Sequence, residues 1–136
     1  MITIGFTGTQ KGVTKAQEKS LMWFIMRAKH GERVFRHGDC IGADEDLHDL
    51  LMLAGLDIIK HPPINPVKRA FCFGGLELEP KEYIERNHDI VDASDVLWAC
   101  PGGMQEELRS GTWATIRYAR SQKKPVAIIY PDGSVA

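Results

Sequence analysis

Short apolar segments alternate along this chain with longer segments of helical periodicity. The apolar segments lie at residues 2–6, 33–37, 56–60, 95–99 and 126–130, and they are rich in β-branched and aromatic residues, as strands are. Between them, apolar residues recur at intervals of three and four positions, which is typical of helices with one face on a sheet. The pattern therefore predicts five strands alternating with helices.

Capping residues mark where these helices begin and end. Thr14 and Gln17 have the spacing of a capping box, Gly55 is a typical helix terminator, and Pro80 suits a first helical turn. Four helices are predicted, with approximate bounds 14–30, 45–54, 80–93 and 111–122.

The connection between the third strand and the third helix is unusually long. Pro62, Pro63 and Pro66 disfavour regular structure, so the segment is predicted to be irregular to about residue 79. Connections of this length within a compact domain are usually functional or mobile.

Alternation of this kind, with several strands almost entirely apolar, indicates a parallel sheet covered by helices on both faces. Right-handed crossovers allow few strand orders, and 3-2-1-4-5 is the simplest. At 136 residues with 43% hydrophobic content, the chain has the size and composition of one domain. We therefore predict an α/β fold: a single Rossmann-like three-layer sandwich over residues 1–136, with a five-stranded parallel sheet.

Three glycine-bearing loops follow the first, second and fourth strands. Their sequences are GTQKG at 8–12, HGDCIGAD at 37–44 and PGGMQEELRSGT at 101–112. In this topology all three lie at the carboxyl edge of the sheet, where the winding reverses and where ligands bind. Glycine allows close backbone approach, and the N–H groups of helix N-termini favour anions. The loops therefore predict a site for a phosphate or a nucleotide.

The residues expected to bind this ligand come from the loops and from the third helix. Arg109 has the planar donors that grip a phosphate, with a surface salt bridge as its alternative role. Lys11 lacks the spacing of a Walker loop and offers at most a point charge, and Asn87 either props a neighbouring loop or reaches the ligand. The predicted ligand-binding residues are Gly8, Thr9, Gln10, Lys11, Gly38, Asp39, Gly42, Asp44, Arg86, Asn87, Pro101, Gly102, Gly103, Arg109, Ser110, Gly111 and Thr112.

Several other side chains have two roles open to them. Asp39 and Asp44 either cap the following helix, or hold ribose hydroxyls or serve as a general base. His37 and His48 lack a third ligand at a suitable spacing, so a structural role is favoured over metal binding. Trp113 either stacks on a base or belongs to the core.

Charge and cysteine usage bear on the class of protein. Lys and Arg number 17 against 18 Asp and Glu, so there is no basic excess of the kind that signals nonspecific nucleic-acid binding. The three cysteines form no C-x-x-C pair, and their odd number argues against a disulfide framework. Zinc binding is therefore not expected, and a reducing compartment is. Neither a signal-peptide pattern nor an apolar run of the ~20 residues that span a bilayer is present. We expect a cytoplasmic protein with no metal, cofactor or membrane contact.

Three segments resemble the SLOG superfamily, which joins the Smf or DNA-processing-A proteins, the Lonely-Guy nucleoside-phosphate hydrolases and a group of nucleotide-sensing domains. HGDCIGADEDLH at 37–48, YIERNHDIVDASD at 83–95 and RSGTWATIRYAR at 109–120 are similar to the glycine loop, the RN-x-x-I stretch and the SG-x-x-T-A helix start of the DNA-processing branch. The resemblance implies a Rossmann-like fold with the ligand at the first, second and fourth strand ends. It also implies that Arg86, beside Asn87, ties the third helix to the 101–112 loop and brings its charge to the ligand.

The chain departs from the Lonely-Guy pattern at the catalytic position. Those hydrolases carry PGG-x-GT-x-x-E, whose Glu assists cleavage of the N-glycosidic bond. Here an insertion separates PGG at 101–103 from Gly111 and Thr112, and Thr115 stands at the position of the Glu. Glu106 and Glu107 in the inserted loop are candidate replacements, with a solvated turn as their alternative.

The function predicted from these features is binding of a nucleotide or nucleotide-derived ligand at the carboxyl edge of the sheet, as a sensor or carrier. The alternative is hydrolysis of the N-glycosidic bond of a nucleoside 5′-phosphate, with Asp44, Glu106 or Glu107 activating water. Single-stranded DNA binding is the weaker alternative, since the nearly neutral charge does not match the basic groove of the DNA-processing proteins.

The first helix carries two apolar faces. One face consists of Leu21, Phe24, Ile25 and Ala28, and the other of Met22, Trp23 and Met26. One sheet cannot bury both faces, so the second face predicts self-association into a homodimer or a higher even-numbered oligomer. In the alternative, Trp23 packs under the 62–79 connection and the chain stays monomeric.

Overall fold

A six-stranded parallel sheet forms the centre of the computed structural model, which describes residues 1–136. The strands are β1 (Ile2–Gly8), β2 (Arg33–His37), β3 (Asp57–Lys60), β4 (Leu76–Glu77), β5 (Val96–Cys100) and β6 (Val126–Ile128), in the spatial order β4-β3-β2-β1-β5-β6. The helices are α1 (Lys15–Ala28), α2 (Ala43–Ala54), α3 (Tyr83–Asp92) and α4 (Gly111–Ser121). The Rossmann-like α/β class is confirmed.

The prediction of five strands is wrong by one, because the long connection contributes a strand. A short 3-10 helix, Pro66–Lys68, follows the prolines, and Gly74 and Gly75 then take φ of +94° and +84°. This turn brings the chain back beside β3, where Leu76 pairs with Ile59. The five predicted strands keep their predicted order, and β4 is added at the edge.

Helices cover both faces of the sheet. On one face α1 and α2 enclose the larger core, which includes Phe6, Leu21, Ile25 and Phe35. On the other face α4 packs over β5 and β6 through a smaller cluster that contains Trp113. Trp113 is 4% exposed, so it is a core residue and not a stacking platform for a base.

The N-terminus of α1 has the predicted capping box. The Thr14 hydroxyl accepts a hydrogen bond from the Gln17 N–H at 3.0 Å, and the Gln17 side chain accepts one from the Thr14 N–H at 3.0 Å. Gln17 is itself buried and donates from Nε2 to the carbonyl oxygens of Pro101 and Ile129, both at 2.9 Å. The cap therefore also fixes the start of the 101–112 loop.

The buried face of α3 differs from the one that hydrophobic periodicity predicts, which consists of Tyr83, Ile84, Asn87, Ile90 and Val91. Ile84 is 69% exposed and Tyr83 is 40% exposed, whereas Arg86 is 3% exposed and lies on the buried side with Ile90 and Val91. Hydrophobic periodicity places a charged residue outside, but here the guanidinium finds carbonyl acceptors beneath the helix. This side chain belongs to the candidate site described below.

None of the helices has the length and apolar character that a membrane crossing requires.

Candidate functional site

The three glycine-bearing loops meet at the carboxyl edge of the sheet, as predicted. Loop 8–12 is held from both sides, because the Thr9 N–H donates to the Cys100 carbonyl at 3.0 Å and the Thr9 carbonyl accepts from the Ala43 N–H at 2.9 Å. The second of these bonds satisfies the first N–H of α2. Loop 8–12 thus connects the end of β5 to the start of α2.

Close packing between the loops depends on glycine at two positions. Gly42 has φ of +95°, and a Cβ there would lie 2.5 Å from the Gln10 carbonyl carbon and oxygen. A Cβ on Gly102 would lie 2.8 Å from the Thr9 hydroxyl oxygen. Because any side chain would force the loops apart, these glycines bring 37–44 and 101–112 against loop 8–12.

A cleft lies where β1 and β2 end against α3. Its lining residues are Phe6, Thr7, Gly8, Gln10, Gly38, Cys40, Asp44, Tyr83, Arg86, Asn87 and Ile90. The enclosed volume is about 20 Å³, which is room for one water molecule. A ligand of nucleotide size would therefore lie across the mouth of the cleft, over the loops.

Arg86 forms one wall of this cleft. Its Nη1 donates to the Gly38 carbonyl at 2.5 Å and to the His61 carbonyl at 3.1 Å. Arg86 thus ties α3 to the carboxyl ends of β2 and β3, and not to the 101–112 loop as the resemblance implied. Both guanidinium nitrogens Nη1 and Nη2 also lie 3.5 Å from the Cys40 sulfur. The neighbouring Asn87 lines the cleft and makes no side-chain hydrogen bond within the chain.

Asp44 is the buried carboxylate of the cleft. Its Oδ2 accepts from the Gly38 N–H at 3.1 Å and the Cys40 N–H at 3.2 Å. The N-cap of α2 is Gly42, with no side-chain cap bond, so the alternative in which Asp44 caps the helix is wrong. Burial raises the pKa of Asp44 to about 6, although the nearby charge of Arg86 and the two N–H donors limit the rise.

Asp39 serves the long connection and does not cap α2. It is fully buried with φ of +51°, and its carboxylate accepts from the Cys72 N–H at 2.9 Å and from Arg69 Nε at 3.1 Å. The Asp39 carbonyl also accepts from the Ala70 N–H at 2.8 Å. Both carboxylate oxygens are thus engaged with residues 69–72, which argues against a role in holding ribose.

The 101–112 loop ends at the first turn of α4. The Ser110 hydroxyl accepts from the Trp113 N–H at 3.2 Å as the N-cap, whereas the N–H groups of Gly111 and Thr112 have no acceptor within the chain. Arg109 is exposed and makes neither a hydrogen bond nor a salt bridge. Its alternative role in a surface ion pair is therefore wrong, and these donors are free for an anion.

The two glutamates of the inserted loop lie outside the cleft. Glu106 pairs with Arg117 of α4 at 2.9 Å, and Glu107 is exposed. Neither lines the enclosed space that Asp44 lines. Lys11, also exposed, donates its backbone N–H to the Thr9 hydroxyl at 3.2 Å.

His37 and His48 form a buried structural pair. The Asp39 N–H donates to His37 Nδ1 at 3.0 Å, so the proton of neutral His37 is on Nε2, which lies 2.9 Å from His48 Nδ1. His48 Nε2 then donates to the Phe73 carbonyl at 2.7 Å. Burial first, and then the charges of His48 and Lys60, lower the pKa of His37, which keeps it neutral.

Tyr83 is the cleft residue that sequence reasoning missed. It lines the cleft, its ring faces the Arg86 guanidinium carbon at 5.1 Å, and a Cβ on Gly111 would overlap its hydroxyl. Tyr83 therefore stands between the cleft and the start of α4. Tyr83 precedes Arg86 by three residues and Asn87 by four, so all three lie on the same face of α3. This spacing is the signal that could have identified Tyr83 as a site residue. Cys40, inside the second loop, was missed as well.

A first prediction concerns the pH dependence that Asp44 introduces. The pKa of Asp44 is raised from 3.8 to about 6 in the folded chain, so its stabilising contribution is complete below about pH 4 and is lost as pH rises through 6. Asp44→Asn keeps an acceptor for both N–H groups without the charge. We expect it to raise the free energy of unfolding at pH 7 by about 1 to 3 kcal/mol.

Urea unfolding of wild type and Asp44→Asn at pH 4, 5, 6 and 7 measures this difference. The gain should disappear by pH 4, where wild-type Asp44 is protonated. The comparison with the variant removes the opposite effect of His37 and His61, whose lowered pKa values cause stability to fall on acidification. A difference independent of pH would show that Asp44 ionises normally.

The fold of this chain matches those of several solved structures. No protein-family model and no curated protein sequence matches the chain. The molybdenum cofactor binding protein from the phototrophic bacterium Rippkaea orientalis superposes with a TM-score of 0.74 at 21% identity. The match covers 95% of this chain and 76% of that protein. The molybdenum cofactor carrier protein from Chlamydomonas reinhardtii superposes with a TM-score of 0.72 at 20% identity. The match covers 94% of this chain and 76% of the carrier protein.

DNA processing protein A from Helicobacter pylori also matches, with a TM-score of 0.66 at 17% identity, over 93% of this chain and 64% of its own. The chain therefore has the same fold as these proteins, as the resemblance of the three motifs implied. Within this fold, the motif segments 37–48, 83–95 and 109–120 supply the second loop, α3 with Tyr83 and Arg86, and the start of α4.

Proposed function

We propose that this protein binds a nucleotide or nucleotide-derived phosphorylated ligand at the mouth of the cleft, as a sensor or carrier. The observation that carries the proposal is the set of unused donors at the start of α4. The N–H groups of Gly111 and Thr112 and the guanidinium of Arg109 have no acceptor within the chain. A helix N-terminus with free N–H groups and an Arg beside it favours a phosphate.

The rest of the ligand would extend from α4 toward the cleft. Tyr83 lies between the two, 40% exposed, and offers an aromatic face beside the mouth. Gln10 and Asn87 line the same mouth and have amide groups free for recognition of polar edges. Two of the proteins with this fold bind or carry the molybdenum cofactor, which supports the inclusion of that cofactor among the ligands to be screened.

The expected result of a ligand screen is a large thermal shift. Nucleoside mono-, di- and cyclic phosphates and the molybdenum cofactor would each be added to the protein. A ligand at about 100 times its Kd adds about 2.7 kcal/mol to stability, or about 9 °C in Tm for a domain of this size. No shift with any of these compounds would contradict the proposal.

Arg109→Ala tests which donors bind the phosphate. A lost charge-assisted hydrogen bond of about 1.5 to 3 kcal/mol should weaken the Kd of the ligand by about 10-fold or more. Arg120→Ala is the matched control, because Arg120 is also exposed but lies at the far end of α4. Equal affinity of the two variants would exclude Arg109 from the site.

A second candidate function is hydrolysis of the N-glycosidic bond of a nucleoside 5′-phosphate. Asp44 favours it, because a buried carboxyl group with a pKa of about 6 in a cleft is suited to general acid–base work near neutral pH. Release of free base, followed by chromatography, separates an enzyme from a carrier. Asp44→Asn should then lower turnover by about 10² to 10⁴. A loss on Glu106→Ala or Glu107→Ala instead would assign the acid to the inserted loop.

We also propose that the protein self-associates through α1. Trp23 is 53% exposed and Met26 is 45% exposed, with Met22 half-buried beside them. Trp23 lies at a groove of about 440 Å³ that is shared with Phe24 and Val135, so it does not pack under the 62–79 connection. An exposed aromatic patch of this kind on a nearly uncharged chain is typical of an interface.

Sedimentation equilibrium at micromolar concentration tests the self-association. The wild type should be a dimer or a higher even-numbered oligomer, and Trp23→Glu should be a monomer, because an unpaired carboxylate cannot be buried in an apolar contact. Ile84→Glu is the control, since Ile84 is 69% exposed on the opposite face of the sheet. A wild-type monomer would end the proposal.

A further inference from the structure

A second cavity lies beside the cleft, on the other side of the Arg86 side chain. Its volume is about 220 Å³, several times that needed by one water molecule. It opens between the segment that follows β3 and α3, and Arg86 lines both spaces. The residues that line it are His61, Leu78, Glu79, Lys81, Arg86 and Asp89.

Donors that the chain does not use lie in and behind the inner wall of this cavity. Arg86 Nε is buried without a hydrogen-bond partner, and so is Nε of Arg36, which lies behind His61. Arg36 Nη1 is 3.0 Å from His61 Nε2, and because a guanidinium only donates, His61 must accept there. The proton of neutral His61 is therefore on Nδ1, which has no acceptor within the chain. Buried donors without acceptors are rare, and each calls for an explanation.

The inner wall is also positively charged. Neither Arg36 nor Arg86 forms a salt bridge with a carboxylate. Burial, and then the charge of Arg36, lower the pKa of His61 to about 4, so His61 is a neutral donor at pH 7. Two guanidinium groups thus lie near one cavity without a salt bridge to a carboxylate, and Arg86 interacts with the charge of Asp44 on its cleft side only.

The mouth of the cavity carries charges of both signs. Lys81 pairs with Asp89 at 2.7 Å and with Glu85 at 3.5 Å. Glu79 is exposed at the mouth and has no cation partner. The rim therefore contributes one cation, Lys81, and three carboxylates, of which Glu85 and Asp89 pair with Lys81 and Glu79 is free. The free carboxylate opposes entry of an anion.

We propose that this cavity binds a tetrahedral oxyanion of the phosphate type, either free or as the phosphoryl group of a small monoester, at a site separate from the cleft. A dianion there accepts from His61 Nδ1 and from Lys81 at the rim. The buried charges of Arg86 and of Arg36 behind His61 attract it without direct contact. The anion therefore lies beside the same guanidinium that forms the wall of the cleft.

Calorimetric titration with inorganic phosphate, in a buffer free of phosphate and sulfate and at constant ionic strength, tests this site. Lys81→Met should weaken the Kd for phosphate by about fivefold, and Glu79→Gln should tighten it by about twofold or more, as expected for single charges at a partly exposed rim. Both side chains are exposed, so both variants should fold. Glycerol 3-phosphate in place of phosphate distinguishes the two sources of the anion, and tighter binding of the ester identifies a phosphorylated metabolite as the occupant.

The Arg109→Ala variant distinguishes phosphate bound in this cavity from phosphate bound at the start of α4. Phosphate affinity in the second cavity should be unchanged in that variant, because Arg109 does not line the cavity. Absence of phosphate binding by the wild type would overturn the proposal. So would binding that Arg109→Ala removes and that Lys81→Met and Glu79→Gln leave unchanged, since the anion would then lie at α4.

Discussion

Gly42→Ala is expected to lower the free energy of unfolding by about 4 kcal/mol. At φ of +95° and ψ of −127°, Gly42 has a backbone conformation that residues with a Cβ rarely adopt, which costs about 1 to 3 kcal/mol. A Cβ would also lie 2.5 Å from the backbone of Gln10, and displacement of packed backbone adds about 1 to 3 kcal/mol. Urea unfolding measures the sum.

Gly55→Ala is the matched control for this prediction. Gly55 ends α2 at φ of +72°, and nothing lies within 4 Å of a Cβ built there, so the substitution carries only the conformational cost of about 1 to 2 kcal/mol. The difference between the two variants measures the contact between loops 8–12 and 37–44. If both variants lost the same stability, the loops would not be interlocked at Gly42.

The order of the sheet could be predicted from the sequence because crossover rules act on whole elements. Once 2–6, 33–37, 56–60, 95–99 and 126–130 are identified as strands, right-handed connections leave few arrangements. Strand β4 could not be predicted in the same way. Its two residues, Leu76 and Glu77, pair with β3 only because Gly74 and Gly75 turn the chain back beside that strand, and two residues contain no periodicity.

The convergence of the three loops was predictable from topology, but the roles of the acids were not. Asp39 and Asp44 both precede or begin a helix, where capping is the common role. The first N–H of α2 is instead satisfied by the Thr9 carbonyl, a residue 34 positions earlier in the chain. Both carboxylates were then free to bind other groups: Asp44 the backbone of its own loop, and Asp39 the 69–72 segment.

Helix α1 shows where hydrophobic periodicity predicts the buried face correctly, and α3 shows where it fails. Periodicity identified Leu21 and Ile25 as buried, since apolar residues on a sheet-facing stripe have one favourable environment. On α3 it favoured Ile84 over Arg86, yet Arg86 is buried because two carbonyl acceptors at the ends of β2 and β3 compensate its desolvation. Acceptors supplied by strands distant in sequence cannot be predicted from the hydrophobic periodicity of one helix.

Arg86→Met is expected to lower the free energy of unfolding by about 3 to 5 kcal/mol at pH 7, as removal of one partner from a buried charged network does. The carbonyls of Gly38 and His61 lose their donor, and Asp44 loses the cation whose charge lowers its pKa. Methionine fills much of the volume of the aliphatic stem, so the loss reports polar interactions more than a cavity. Arg117→Met is the control, because Arg117 pairs with Glu106 on the surface and its removal should cost about 1 kcal/mol or less.

The double variant Arg86→Met, Asp44→Asn tests whether the two buried charges depend on each other. Without Arg86, the pKa of Asp44 should rise above its wild-type value of about 6, so the Arg86→Met variant carries a carboxylate that is costly to ionise at pH 7. Replacement of that carboxylate by the Asn amide should therefore restore about 1 kcal/mol or more beyond what the same substitution adds to the wild type, and Arg86→Met alone should be less damaging at pH 5, where Asp44 is protonated. Additivity of the two substitutions within about 0.5 kcal/mol would mean that Arg86 acts only through the carbonyls of Gly38 and His61.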